Sequence, residues 1–208
     1  RGAGRGGPSE RAEGNARVTR FHMVRHGPTH EKTFVGWRDV PADLSDTAAL
    51  ARLNAALPGD ALVISSDLSR AVRTADAIAG TRLRLPHDPD LREFDFGDWD
   101  GKHFREAADS HPDLSRAFWE TPGDLAPPNG ESWNAVANRV ARALDRLHVH
   151  NASDIIVVGH FGMILTQLGR ARGEDPALTL GQKIDNLSVT TIQRLNPGWD
   201  VLLINHKF

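Results

Sequence analysis

The sequence contains no cysteine and no tyrosine. Without a thiol there is no disulfide framework, no thiolate metal cage and no cysteine-based phosphatase chemistry. Without a phenol, a tyrosyl nucleophile is excluded as well. No apolar run approaches the roughly 18 residues of a membrane span, and the N-terminal stretch lacks the apolar core of a secretory signal. No membrane partner is therefore expected, and cytoplasmic residence is. A surplus of either charge is also missing: the formal net charge is -2 over 208 residues. Residues 1–17 hold four Arg against Glu10 and Glu13, so the rest of the chain is mildly acidic. Nucleic-acid binding is carried by clustered Lys and Arg, and this balance is its opposite.

What is present suits a soluble α/β domain, with 39% hydrophobic and 25% charged residues and enough length for one domain with its own core. Residues 1–17, rich in Gly and poor in large apolar side chains, cannot offset the entropy of ordering and read as a flexible tail. Residues 18–208 read as a single domain. The continuous apolar runs 61–64 and 155–158 have the pattern of strands buried on both faces of a parallel sheet. Residues 18–25 give another strand, and further strands are expected over 82–85, 184–194 and 201–205. The turn signal Asn196-Pro197-Gly198 joins the last two as an antiparallel hairpin at one side of the sheet.

Helices are expected over 46–57 with Ser45 as cap, from the capping residues Ser65-Ser66-Asp67 to Ala79, over 131–150 and over 163–170. The helix 131–150 carries an apolar stripe of Val136, Val140, Ala143, Leu144 and Leu147. Residues 28–44 read as a long loop. Residues 102–130 read as one or two short helices and a loop, an excursion of the kind that serves as a lid.

Three strand-to-helix junctions converge, at His26, Arg70 and His160, and ligands of open α/β sheets sit outside the carboxyl ends of the strands. An imidazole is nucleophilic near neutral pH, and the adjacent Arg25 guanidinium can grip a phosphate through paired hydrogen bonds. Gly27 is read as freeing the backbone to turn sharply. Phosphoryl transfer needs a nucleophile, cations around the equatorial oxygens and an acid for the leaving alkoxide, and the chain holds all three kinds. Arg73 competes with Arg70 one turn along the same helix. Glu93 stands among Asp95, Asp98 and Asp100, and side-chain chemistry alone does not rank these carboxylates.

Five motifs occur in a fixed order: Arg25-His26-Gly27; Gly36-Trp37-Arg38-Asp39-Val40; Ser65-Ser66-Asp67-Leu68-Ser69-Arg70-Ala71-Val72-Arg73-Thr74-Ala75; Leu91-Arg92-Glu93-Phe94-Asp95-Phe96-Gly97-Asp98-Trp99-Asp100-Gly101; and Gly159-His160-Phe161-Gly162. In these the chain resembles the histidine phosphatase (phosphoglycerate-mutase-like) superfamily. The resemblance implies a three-layer sandwich with a mostly parallel, mixed sheet flanked by helices. It implies that His26 becomes transiently phosphorylated, that Arg25, Arg70 and His160 surround the phosphoryl oxygens, and that Glu93 protonates the leaving group and later activates water. It selects Arg70 over Arg73, and Glu93 over its acidic neighbours.

The implied reaction is metal-independent hydrolysis of a small phosphorylated metabolite, with phosphate as product and neither metal nor cofactor. Gly27, Thr29, Lys32, Trp37 and Phe161 are the candidates for binding substrate. The chain departs from many members of the family in carrying Pro28-Thr29 after the first motif, and Lys32 about where a phosphate-binding Asn falls.

A mutase shares the His26 chemistry, and the segment 36–40 is mutase-like. Residues 102–130 are nevertheless too short for the insertion of the cofactor-dependent mutases, which favours hydrolysis. A non-catalytic phosphate-binding or interaction module is the other alternative. Asp88-Pro89-Asp90 resembles an aspartyl-nucleophile motif of the haloacid dehalogenase type, but lacks its following context. The pairs His26 with His30 and His148 with His150 read as solvated histidines rather than metal ligands. Oligomeric state is left open.

Overall fold

The computed structural model describes residues 18–208, so the tail expected over 1–17 lies outside the described residues. Strand β1 (Thr19–Arg25) runs through the middle of a five-stranded sheet. It pairs in parallel with β3 (Asp154–Gly159), which pairs in parallel with β2 (Leu62–Ser65). On its other side β1 pairs with antiparallel β4 (Val189–Arg194), followed by β5 (Trp199–His206), giving the order β2-β3-β1-β4-β5. The register sets Arg25 opposite Gly159 and Ser65 opposite Val158. The three parallel strands therefore end together, and the residues that follow them share one edge.

Alternate side chains along each strand feed two cores. Phe21, Met23, Ile155 and Val157 pack with α5 (Trp133–His148) and α6 (Phe161–Arg172). Val24, Val63, Ile156 and Val158 pack with α1 (Thr47–Ala56) and α2 (Ser69–Ala79). Every residue of β3 is buried, which is why its sequence is a continuous apolar run and not an alternating one. The result is the expected α/β sandwich with a mixed sheet between helical layers. The excursion forms two helices, α3 (Phe104–Ser110) and α4 (Pro112–Glu120), and α7 (Pro176–Thr179) precedes the loop into β4. Among the described residues no helix is long and apolar enough to cross a membrane.

Several local expectations change. Residues 82–85 form no strand beyond a single bridge from Arg84 to Val63, because the Arg82 side chain folds back onto the carbonyls of Asn54, Leu57 and Pro58. Asp46, not Ser45, caps α1 by accepting from the Ala49 N–H at 2.9 Å. Helix α2 begins after Leu68 with no side-chain cap, because Asp67 pairs with Arg92 and Ser66 is turned toward His160. Helix α6 starts at Phe161, directly after His160. Strand β4 begins only at Val189, since residues 184–188 wrap around the end of β1: Ile184 accepts from Arg25 and Asn186 donates to the carbonyl of His26. The hairpin turn at Asn196-Pro197-Gly198 is present, with a cis Asn196-Pro197 bond. Asp88 and Asp90 both pair with Arg146, which assigns that acidic pair a structural partner.

Candidate active site

His26 leaves the end of β1 with only 6% of its surface exposed. Its Nδ1 lies 2.6 Å from the Gly27 carbonyl oxygen. A carbonyl can only accept, so Nδ1 carries the proton and Nε2 keeps its lone pair. Burial first, and then the Arg70 guanidinium with a contribution from Arg25, lower the pKa of this imidazole to about 3. The ring is neutral at any ordinary pH. Asn186 Nδ2 donates to the His26 carbonyl at 2.9 Å, and the Gly27 N–H donates to Thr74 Oγ1 at 3.0 Å, so the backbone on both sides of the imidazole is fixed.

Gly27 is needed for a different reason from the one expected. Its φ is not in the left-handed region. A Cβ there would instead lie 2.6 Å from Leu44 Cδ2 and 3.0 Å from the Asp43 carbonyl, so close packing of the following loop forbids a side chain.

His160 follows β3 and is fully buried, its ring centre 5.2 Å from that of His26. Arg70 Nε donates to its Nδ1 at 3.2 Å, and its Nε2 lies 2.6 Å from Ser66 Oγ. The ring is therefore neutral, with its proton on Nε2. Burial, then Arg70, then His26 hold its pKa well below the usual histidine value.

Arg70 is also fully buried. Its Nη1 donates to the Arg38 carbonyl at 3.0 Å and its Nη2 to that of Gly36 at 2.6 Å. These bonds tie the loop of residues 28–44 to the two histidines. Arg73, one turn along the same helix, is exposed. Arg25 donates from Nη1 to the Ile184 carbonyl at 2.6 Å and sits 5.4 Å over the ring of Phe161. Its buried Nε has no hydrogen-bond partner. Desolvation lowers the pKa of this guanidinium, and the carboxylates of Glu93 and Asp185 oppose that effect.

Glu93 is the carboxylate that reaches the cluster. It is 6% exposed, and both Oε1 and Oε2 accept from the Gly162 N–H at 3.0 Å, in the first turn of α6. Asp95 instead accepts from the Gly97 N–H, Asp98 takes Asn129, and Asp100 binds the N–H groups of Gly36 and Arg38. These three shape the loops around the site.

The main chain at Glu93 is held by residues that the sequence motifs did not single out. Arg139 of α5 donates to the carbonyls of Asp90, Arg92 and Glu93 at 2.9, 2.8 and 2.7 Å, and forms a paired contact with Glu131. Glu131 in turn accepts from the Asp95 N–H. The signal for this pair was an Arg set between Val136 and Val140 on the apolar face of the helix, eight residues after an acid. Trp37 belongs to the same scaffold: its Nε1 donates to the Glu93 carbonyl at 2.9 Å and its ring lies under Arg92.

Of the other candidates for binding substrate, Phe161 is half-buried beside Arg25, Thr29 is half-buried, and Lys32 is exposed. His30 pairs with Asp43, and His148 bonds Thr19. Among the described residues no three or more His, Cys, Asp or Glu side chains are grouped to hold a metal ion.

A bifunctional protein of Mycobacterium tuberculosis is 38% identical over 157 residues, 68% of this chain. The chain spans only 41% of the length of that relative. A metal-independent phosphoserine phosphatase of Arabidopsis thaliana is 31% identical over 201 residues, covering 92% of this chain and 83% of its own. Among solved structures, Bacillus stearothermophilus YhfR superposes with a TM-score of 0.82 at 25% identity, covering 91% of this chain and 98% of that one. The family pattern of the histidine phosphatase superfamily, branch 1, matches residues 21–207. Strand order, the meeting of His26 with His160 and this match along nearly the whole described chain lead to one conclusion: the chain belongs to the histidine phosphatase superfamily.

Proposed function

We propose that the chain hydrolyses a small phosphomonoester without a metal ion, through a phosphohistidine on His26. The observation that carries this reading is the protonation state of His26. Its Nδ1–H is committed to the Gly27 carbonyl and its Nε2 lone pair is left available, near the buried Arg70, the partly buried Arg25 and the buried Glu93. In the first step Nε2 attacks phosphorus and the ester P–O bond breaks. The departing oxygen takes the proton of the Glu93 carboxyl. In the second step water attacks phosphorus, Glu93 accepts its proton, and the P–N electron pair returns to His26 as phosphate leaves.

Arg25 and Arg70 supply the positive field in which the phosphoryl charge is stabilised, the largest contribution in such sites. His160, accepting from Arg70, holds that guanidinium in place. The phosphatase named among the relatives supports hydrolysis as the outcome for this chain. The test is a panel of phosphomonoesters assayed with EDTA present. Turnover should persist in EDTA and vanish in His26→Ala, and a rapid alkaline quench should trap the acid-labile phosphohistidine. Loss of activity in EDTA, or activity retained by His26→Ala, defeats the mechanism.

A further inference from the structure

Beside Glu93 the structure has a recess of about 360 Å³, including its open mouth. Glu93 and the backbone of Gly162 form one wall, and Phe94, Phe96, Phe118, Trp119, Phe161 and Leu180 form much of the rest. Glu93 is the only charged side chain in that lining. Phe161 belongs to both places, because its ring also lies under Arg25. The recess thus shares Phe161 with the Arg25 side of the site, and Glu93 stands in its lining.

We propose that this recess receives the leaving group, and that the substrate is the phosphate ester of an apolar or aromatic alcohol. The inference rests on the reading of Glu93 as the acid for the leaving oxygen. That oxygen must come within hydrogen-bond reach of the carboxyl, so the carbon attached to it is delivered to the mouth of the recess. A second anionic group there, such as the carboxylate of a sugar acid, meets aromatic faces and no cation, and loses its hydration without a partner. A hydrocarbon chain or ring loses only its contact with water and is favoured by the transfer.

Trp119 fixes the rim. It is 39% exposed, packs edge-on against Phe118 at 4.8 Å and lies parallel to Phe34 at 6.1 Å. It belongs to α4, so the excursion supplies part of the recess's apolar wall.

Alkyl phosphates of increasing length test the proposal, because beyond ethyl their alkoxides are almost equally basic and only apolar area changes. From ethyl to pentyl, kcat/KM should rise about fourfold per buried methylene and then level off, with glycerol phosphate and phosphoglycerate the poorest substrates. Trp119→Ala should flatten the rise of kcat/KM with chain length. The matching alkylphosphonates, which cannot be hydrolysed at their P–C bond, should show the same chain-length trend in calorimetric affinity. Esters hydrolysed with no dependence on chain length, or with phosphoglycerate preferred, overturn the apolar recess and leave the phosphatase reading intact. Phosphonates that bind more tightly with length, in a protein that turns over no ester, preserve the recess and overturn hydrolysis instead.

Discussion

Gly162 donates its one backbone N–H to both carboxylate oxygens of Glu93, each at 3.0 Å. The contact joins the loop after the third motif element to the first turn of α6, two residues past His160. There is no room to spare at this joint: a Cβ on Gly162 would sit 2.5 Å from Glu93 Oε1 and would overlap the Phe94 ring. Gly162→Ala should therefore push the carboxyl out of line and lower kcat for alkyl phosphates by about 10²-fold or more, the scale of a lost general acid. A helical alanine would otherwise be favoured by about 1 kcal/mol. Undiminished turnover in Gly162→Ala would show that the position of Glu93 does not matter.

The roles of Glu93 and Arg70 separate by leaving group. Protonation matters for an alkoxide and hardly at all for a nitrophenolate, which leaves unaided. Glu93→Gln should slow phosphorylation of His26 by alkyl phosphates about 10²–10⁴-fold while affecting aryl phosphates much less. Arg70→Ala should slow both by about 10²–10³-fold. Rapid-quench formation of phosphohistidine is the measurement, because in the proposed mechanism Glu93 also serves the later attack of water. Equal losses for the two leaving groups in Glu93→Gln would remove it from the acid role.

Arg139 touches only carbonyls and Glu131, yet the Glu93 backbone hangs from it. Arg139→Lys keeps the charge but not the fork of donors. It should reproduce the leaving-group pattern of Glu93→Gln in weaker form, about tenfold against alkyl esters and less against aryl esters, on the scale of a lost charge-assisted hydrogen bond. A merely structural arginine would lower the melting temperature and slow all esters alike.

Stability should fall with acid earlier than carboxylates alone can explain. His22, His26 and His160 all have pKa values lowered chiefly by burial, that of His26 to about 3. Unfolding returns them to roughly 6.5, so below that pH the unfolded chain binds more protons than the folded one. The sign is fixed: stability is full above about pH 6.5 and declines as pH falls toward the folded values, by about 1.4 kcal/mol per pH unit for each proton excluded. Urea midpoints between pH 6.5 and 4.5 measure the slope, and His26→Gln should reduce it by one proton's share. An unchanged slope would mean that His26 is protonated in the folded protein.

Strands β2 and β3 were legible in the sequence because burial on both faces leaves an apolar run, and the meeting of the residues that follow the parallel strands was legible because such strands end along one edge of the sheet. Phe161 was named without a structure and stands beside Arg25. What escaped was the scaffold. Ser66, Thr74, Asn186 and Arg139 act through backbone atoms or through other side chains, and such contacts depend on which segments meet in space. Ser45 and Asp46 are both good caps by type, and only backbone direction chose between them. Residues 184–188 were expected to open a strand, yet they carry Asp185 and Asn186 and make hydrogen bonds to Arg25 and His26 outside the sheet.

The position of β1 at the centre of the sheet has a consequence for how the protein comes into being. Its two neighbours in the sheet, β3 and β4, both come from the last third of the chain. Pairing across such sequence distances is slow, since loop-closure entropy must be met before the contacts form. On the ribosome, the segment bearing His26 emerges early and waits. It has neither the His160 partner nor the Asn186 hydrogen bond until synthesis has passed residue 186, and β1 lacks its second neighbour until Arg194 has followed. The surroundings of His26 are therefore completed only when both later segments have folded against β1.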